Sequence, residues 1–268
     1  MNLKKLVLAL SLTMAACAPQ NEQLSLDAQS DNAIVGGEKV ARLSPIGRHT
    51  VGLYESKIGY ICSGTLIAPN LVLTAAHCID PQAKNLAVVF DTEIKKASKD
   101  RTRAVVDYRI NPLWLTNQNE VRNTGDIAVL RFEGRAPAGY EPAPLLGDSQ
   151  YLRNGATSTM AGYGLSWTFV IGAGSGTLRS TNLKIDDNNF SETEVMIGQS
   201  VKRGICSGDS GGPAYMQING RLHVWGVASR GDSIPLLLAP KCMLFSVFTR
   251  VDVYQDWILQ ASAELLNQ

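Results

Sequence analysis

Three short strings hold side chains that could together break an acyl bond. They are Thr74-Ala75-Ala76-His77-Cys78, Gly125-Asp126-Ile127-Ala128-Val129-Leu130 and Gly208-Asp209-Ser210-Gly211-Gly212-Pro213. Taken singly they say little. A lone histidine is more often structural than catalytic. An aspartate ahead of an apolar run usually serves a turn, and a serine among glycines usually marks a loop. The combination describes a chemistry. A serine hydroxyl is a weak nucleophile and needs a base within hydrogen-bond reach. Imidazole suits that task because its pKa lies near neutrality. A carboxylate then fixes the imidazole tautomer and stabilises the imidazolium. The chain order His77, Asp126, Ser210 is one of three in which such a triad occurs.

The strings TAAHC, DIAVL and GDSGGP resemble those of the chymotrypsin–trypsin family of serine endopeptidases. Ile34-Val35-Gly36-Gly37 resembles the mature N-terminus of that family, so the resemblance spans residues 34–268. It implies that Ser210 is the nucleophile, His77 the general base and acid, and Asp126 the residue that orients His77. The backbone N–H groups of Gly208 and Ser210 would form the oxyanion hole. Glycine suits position 208 because the backbone must turn an N–H toward substrate without a Cβ in the way. The resemblance also implies activation by cleavage before Ile34. The freed ammonium group would enter the protein and pair with Asp209. The implied fold is two packed six-stranded antiparallel β-barrels with a C-terminal α-helix, the site lying in the cleft between them.

Substrate preference follows from the same likeness. Gly204, six residues before the serine, stands where trypsin-like members place an aspartate on the pocket floor. Ile205 and Ser246 would line and narrow that pocket, and Ser229 and Gly231 would lie on the strand that pairs with the substrate backbone. A cationic side chain buried there without a counter-charge would cost on the order of several kcal/mol. Small or medium apolar residues, not Lys or Arg, are therefore expected on the acyl side of the cut. Ala33, the residue before Ile34, agrees with self-activation. Two departures stand out. Arg230 occupies a position usually aromatic, and the stretch Asp232–Lys241, with three consecutive leucines, separates Gly231 from Cys242. Asp232 could supply a displaced negative charge.

Positioning such residues requires a β-rich frame, and the chain reads as one. Candidate strands are Thr50–Tyr54, Tyr60–Ile67, Leu71–Thr74, Leu86–Phe90, Arg103–Ile110, Asp126–Phe132, Thr157–Ala161, Leu178–Ile185, Pro213–Gln217, His223–Ser229 and Phe245–Arg250. Each is rich in Val, Ile, Leu or aromatics and bounded by turn residues. Their even spacing points to a barrel or sandwich. One helix is expected from Val253 to Leu266, with Asp252 as N-cap and Val253, Trp257, Leu259 and Leu265 available for burial.

The remaining signals bound the setting. With 25 basic and 24 acidic side chains the net charge is +1, which gives no electrostatic footprint for nucleic acid. Lys4 and Lys5 precede an apolar run, Leu6–Ala16, shorter than the roughly 20 residues a membrane span needs. Residues 1–16 read as a secretory signal peptide. Met14-Ala15-Ala16-Cys17 also resembles a bacterial lipobox, which would lipidate Cys17. Ordinary cleavage nearby is the other reading, and both stay open. Residues 17–33 have linker or propeptide composition, leaving 34–268 as the protease domain. Export, into the medium or the cell envelope, implies an oxidising compartment.

There the four cysteines after Cys17 suggest two disulfides, for which spacing allows three pairings. The family resemblance implies Cys62–Cys78 and Cys206–Cys242. No pair has the C-x-x-C spacing of a zinc site. Asp91 and Glu93 sit where some relatives carry a calcium loop, but Lys95 and Lys96 crowd it, so no metal and no cofactor are expected. Protein or peptide substrates, an activating protease and a monomeric state complete the expectation, with membrane contact only through a lipid on Cys17. A non-catalytic, protease-like binding protein of the cell envelope is the competing reading. His49 and His223 are read as structural or surface residues.

Overall fold

Short runs of β-branched and aromatic residues, each too short to bury a face alone, pair edge to edge until the sheets close. The computed structural model describes residues 34–83, 85–165, 174–200, 202–231 and 242–268. The signal and linker readings of residues 1–33, Cys17 among them, and the rim stretch Asp232–Lys241 lie outside the described residues.

A two-residue strand, β1 (Glu38–Lys39), and a short helix, α1 (Pro45–His49), lead into the first barrel. It comprises β2 (Thr50–Glu55), β3 (Tyr60–Ala68), β4 (Leu71–Thr74), β5 (Leu86–Val89), β6 (Thr102–Ile110) and β7 (Ala128–Phe132). They close in the order β2-β3-β4-β7-β6-β5, all antiparallel. The second barrel comprises β8 (Thr157–Gly162), β9 (Arg179–Asp187), β10 (Glu194–Gly198), β11 (Pro213–Ile218), β12 (Arg221–Gly231) and β13 (Phe245–Arg250). Its order is β9-β10-β13-β12-β11-β8, closed by pairing of β8 with β9, and β1 joins β9 on the outside. Closure pairs the strands of each barrel on both sides, which explains how modest strands make a stable frame.

The predicted strands all appear, with ends that differ from the expectation by at most two residues. Two were not foreseen. β1 is too short to show alternation. β10 begins at a fully buried charged residue, Glu194, which breaks the apolar pattern a sequence scan seeks. The expected strand at Asp126 starts instead at Ala128, leaving Asp126 free of the ladder. The unforeseen helix α2 (Pro112–Asn117) begins at Pro112, and the Asn111 side chain caps it by accepting from Leu113 N–H at 3.0 Å.

The last helix, α3 (Gln255–Leu266), corrects two expectations. Tyr254, not Asp252, is its N-cap, because the Asp252 carboxylate accepts instead from Arg250 Nη2 at 2.6 Å. Its buried residues are Ile258, Ala261 and Leu265, while Val253 and Leu259 are 44% and 55% exposed. Spacings of three and four residues place the former on one face and turn Leu259 off it. In the second barrel the fully buried Trp225 ring lies 5.7 Å from Phe248 and donates its indole N–H to Ser158 Oγ at 2.7 Å. No helix among the described residues is long and apolar enough to cross a membrane.

Candidate active site

His77 follows β4 in a single 3₁₀ turn, Ala76–Cys78, which lifts its imidazole from the end of the first barrel. Asp126 arrives from the loop before β7 and is 1% exposed. Its Oδ1 accepts from the His77 backbone N–H at 3.0 Å, and its Oδ2 lies 2.8 Å from His77 Nδ1. Two contacts to one residue fix both the backbone and the ring. Ser229 Oγ, on β12 of the other barrel, donates to the same Oδ2 at 2.6 Å. Burial alone would lower the His77 pKa, but the Asp126 hydrogen bond and charge overcome it, and the net shift is upward from 6.5.

Ser210 comes from the second barrel, in the loop leading to β11. Its carbonyl accepts from Ser63 N–H of β3 at 2.8 Å. The next residue, Gly211, has φ +75°, and a Cβ there would meet Thr74 Oγ1 at 2.0 Å and Ala75 N at 3.0 Å. Only glycine lets the serine loop press so closely on the chain segment that ends in His77. Ala228 O holds Gly211 N–H at 2.7 Å, so the strand bearing Ser229 braces the serine loop as well. No hydrogen bond joins Ser210 Oγ to His77; contacts of this kind often tighten only in the substrate complex.

The Gly208 backbone has φ +96°, and its carbonyl accepts from Ser63 Oγ at 2.9 Å. Locking that carbonyl turns the adjoining amides. Neither Gly208 N–H nor Ser210 N–H donates to any described residue. Two unspent donors flanking a serine hydroxyl suit an oxygen that gains charge during acyl transfer.

Asp209 points the other way, into the protein. It is 1% exposed and accepts from Gly164 N–H at 2.8 Å and Cys206 N–H at 2.9 Å. Burial pushes its carboxyl up to about 7, the two N–H donors only moderating the rise. Ile34 is fully buried, and Val35 pairs with Gly204 in an isolated bridge.

These features agree with a match of the trypsin family model to residues 34–258. The chain belongs to the trypsin family. It is a serine-type endopeptidase, a hydrolase acting on protein or peptide substrates. Chymotrypsin-like elastase family member 1 of Bos taurus is 31% identical over 252 residues, covering 88% of this chain and 91% of that protein. The Homo sapiens protein of the same name is 30% identical over 253 residues, covering 86% and 92%. That of Canis lupus familiaris is 29% identical over 248 residues, covering 87% and 93%. Two barrels and a C-terminal helix are the architecture that the family resemblance implied.

Both disulfides form with the implied pairing, Cys62–Cys78 and Cys206–Cys242, at Cα separations of 6.1 and 5.3 Å. The first ties β3 to the turn that carries His77. Cys62, His77 and Cys78 lie near one another, but bonded sulfurs offer no thiolate to a metal. At the calcium-loop position Glu93 pairs with Lys96 at 2.6 Å, and Asp91 lies 3.7 Å from Arg101. His49 is buried with Nδ1 2.7 Å from Glu141 O, and the half-buried His223 lies 3.3 Å from Arg221 O. A cavity of about 350 Å³, lined in part by Glu38, Thr181 and Arg203, contains none of the triad strings.

Three residues around the site escaped sequence reasoning. The Gln199 carboxamide sits beside Gly204, so close that a Cβ there would meet Gln199 Cδ at 2.7 Å. Its Oε1 accepts from Ile205 N–H and Ser246 Oγ, each at 2.6 Å, and its Nε2 faces three carbonyls. Ser246 therefore turns its hydroxyl to Gln199. The Trp114 ring of α2 stands 6.2 Å from the His77 ring. Glu194 forms an ion pair with Arg230. The missing Cβ at Gly204 was the one available hint of Gln199, since a glycine often marks close approach by a neighbour.

Proposed function

We propose that the chain is a zymogen-derived serine endopeptidase that works through His77, Asp126 and Ser210. The observation that carries this is the double contact of Asp126 with His77 beside a serine loop whose Gly208 and Ser210 N–H groups are unspent. Ser210 Oγ attacks the scissile carbonyl while His77 Nε2 takes its proton. Asp126 accepts from His77 Nδ1, which leaves Nε2 as the acceptor. The tetrahedral oxyanion sits against the two amides, each such donor being worth roughly 3 kcal/mol of barrier lowering. His77 then protonates the leaving amine, and water repeats the cycle on the acyl-enzyme. Ser229 and Gly231 at the end of β12 present the edge for the substrate backbone.

Activation rests on cleavage before Ile34. In the intact chain Asp209 is a buried carboxyl with no cation against it among the described residues, and its raised pKa reflects that. Ile34 adopts φ +52°, a left-handed conformation that β-branched residues resist. Cutting the preceding peptide bond removes that constraint and creates an ammonium group next to a buried residue. Its pairing with Asp209 would secure the Cys206–Ser210 loop. The disulfides suit an exported protein. Release from a signal or lipid-bearing segment would accompany the same cut.

A small or medium apolar side chain is the expected acyl-side residue. Gly204 brings no charge, and Gln199, with both ends engaged, fills space at the base without offering a counter-ion. The relatives' name, elastase, is in keeping with this. The test is labelling of Ser210 by a fluorophosphonate after cleavage before Ile34, followed by profiling on peptides ending in Ala, Val, Leu, Phe or Arg. Absence of labelling in the cleaved protein would refute the mechanism, and a strong preference for Arg would refute the pocket assignment.

A further inference from the structure

Arg230 stands where the family resemblance anticipates an aromatic, and the structure gives its guanidinium a specific partner. Its Nη1 and Nη2 donate to the two carboxylate oxygens of Glu194 at 2.8 and 3.0 Å. The Glu194 side chain is fully buried, whereas that of Arg230 remains 29% exposed. Glu194 also accepts from Asn123 N–H at 2.9 Å, from Thr124 Oγ1 at 2.9 Å and from Ser191 Oγ at 3.2 Å. Arg230 Nη2 donates to Val121 O at 2.7 Å. The pair thus ties β10 and β12 to residues 121–124, the segment that delivers Asp126. On its other side Arg230 Nη1 lies 3.4 Å from Ser229 Oγ, the hydroxyl that donates to Asp126.

We propose that the Arg230–Glu194 pair is a positioning unit of the triad, holding the loop before Asp126 and balancing the charge felt by the Asp126–His77 pair. The proposal rests on the triad reading above. Burial alone would push the Glu194 carboxyl up, but Arg230 and the N–H and O–H donors hold it below the usual range. Glu194 is therefore a carboxylate at neutral pH, and its field at His77 opposes that of the guanidinium it holds. The titratable groups facing this network from other elements are Asp126, Tyr60 on β3 and Tyr254 ahead of α3. The pKa of Tyr60 is raised by burial and then by Asp126, and that of Tyr254 by burial and then by Glu194. Arg122 is turned onto the Phe190 ring, 4.9 Å from its centroid.

Removing one charge unmasks the other. A unit charge about 10 Å away, at an effective dielectric of about 20–40, moves a pKa by about 0.6–1.2 units. Glu194→Gln leaves a lone cation, which disfavours imidazolium, so the acid limb of kcat/KM should move to lower pH. Arg230→Met leaves Glu194 as a lone anion held by the N–H and O–H donors of Asn123, Thr124 and Ser191, and the limb should move to higher pH above the pH at which that buried carboxylate takes up a proton. The double variant should return the limb to near the wild-type position while kcat stays several-fold reduced, because the loop has lost its tie. Arg230→Lys keeps the charge but not the fork, so it should lower kcat with the limb unmoved.

A purely structural role would lower activity in every variant without moving the limb in opposite directions. Limbs that stay put, or move the same way in both folded single variants, overturn the proposal. Should Arg230→Met fail to fold, Glu194→Gln decides, since it strands no buried charge. A static limb there is sufficient to overturn the proposal. Proton NMR titration of the His77 ring, with Ser210→Ala in each chain, reads the same shifts without turnover. It therefore separates a failure of this unit from a failure of the triad reading, which would show as an unreactive Ser210 in the wild-type protein.

Discussion

Replacing Asp209 by Asn in the uncleaved chain should flatten the pH dependence of stability. The Asp209 carboxyl is buried, and its pKa lies at about 7 against 3.8 for an exposed group. The unfolded chain therefore releases this proton first as pH rises. The stability contributed by the neutral carboxyl is complete below pH 3.8 and is lost as pH climbs through 7. A shift of about three units corresponds to about 4 kcal/mol, of which about 2–3 kcal/mol falls between pH 5 and pH 8. The comparison needs Ser210→Ala to block self-cleavage, with and without Asp209→Asn, in urea unfolding at both pH values. Asp209→Asn costs a hydrogen bond to Gly164 or Cys206 at either pH, so the slope and not the absolute stability is diagnostic. With m at about 3 kcal/mol/M, the midpoint of the protein that keeps Asp209 should fall by about 1 M relative to the Asp209→Asn variant. Cleavage before Ile34 should abolish that fall, because the new ammonium favours the ionised carboxylate. Parallel pH profiles for the two uncleaved proteins would refute the reasoning.

Other outcomes follow from the same geometry. The raised His77 pKa predicts a kcat/KM profile whose acid limb lies above pH 6.5, since only neutral imidazole can accept the serine proton. Asp126→Asn should move that limb downward and reduce kcat by roughly 10⁴-fold, measurable on any good peptide substrate. Gly204→Asp alone should reduce activity without conferring cleavage after Arg, because its Cβ would collide with Gln199 Cδ at 2.7 Å. Adding Gln199→Gly should release the clash and raise kcat/KM for Arg over Ala substrates by about 10-fold or more. Gly211→Ala should destabilise the fold by about 2–4 kcal/mol, because a Cβ would meet Thr74 Oγ1 at 2.0 Å with φ at +75°. Thermal unfolding, with fluorophosphonate labelling of Ser210, checks it.

Legibility varied with how local each cause was. The strand runs and turn residues of the first barrel act over a few neighbours, and their spans could be read to within a few residues. The N-cap of α3 could not. Asp252 has the right chemistry for a cap, but Arg250 two residues away claims it. β10 was invisible because its first residue, Glu194, is a charge that becomes tolerable inside the protein only through Arg230, 36 residues further on.

The strings around His77, Asp126 and Ser210 by themselves determined the reaction class, because so few residue types can activate a hydroxyl at neutral pH. They also determined, through the family resemblance, the barrel architecture and the pairing of the cysteines. Tertiary structure alone decided what surrounds those groups. That Gln199 fills the space beside Gly204, that Asp209 lies sealed against two N–H groups, and that Arg230 locks onto Glu194 are contacts between segments distant along the chain. Their strength depends on burial and on ångström-scale distances, and neither quantity exists until the two barrels have closed.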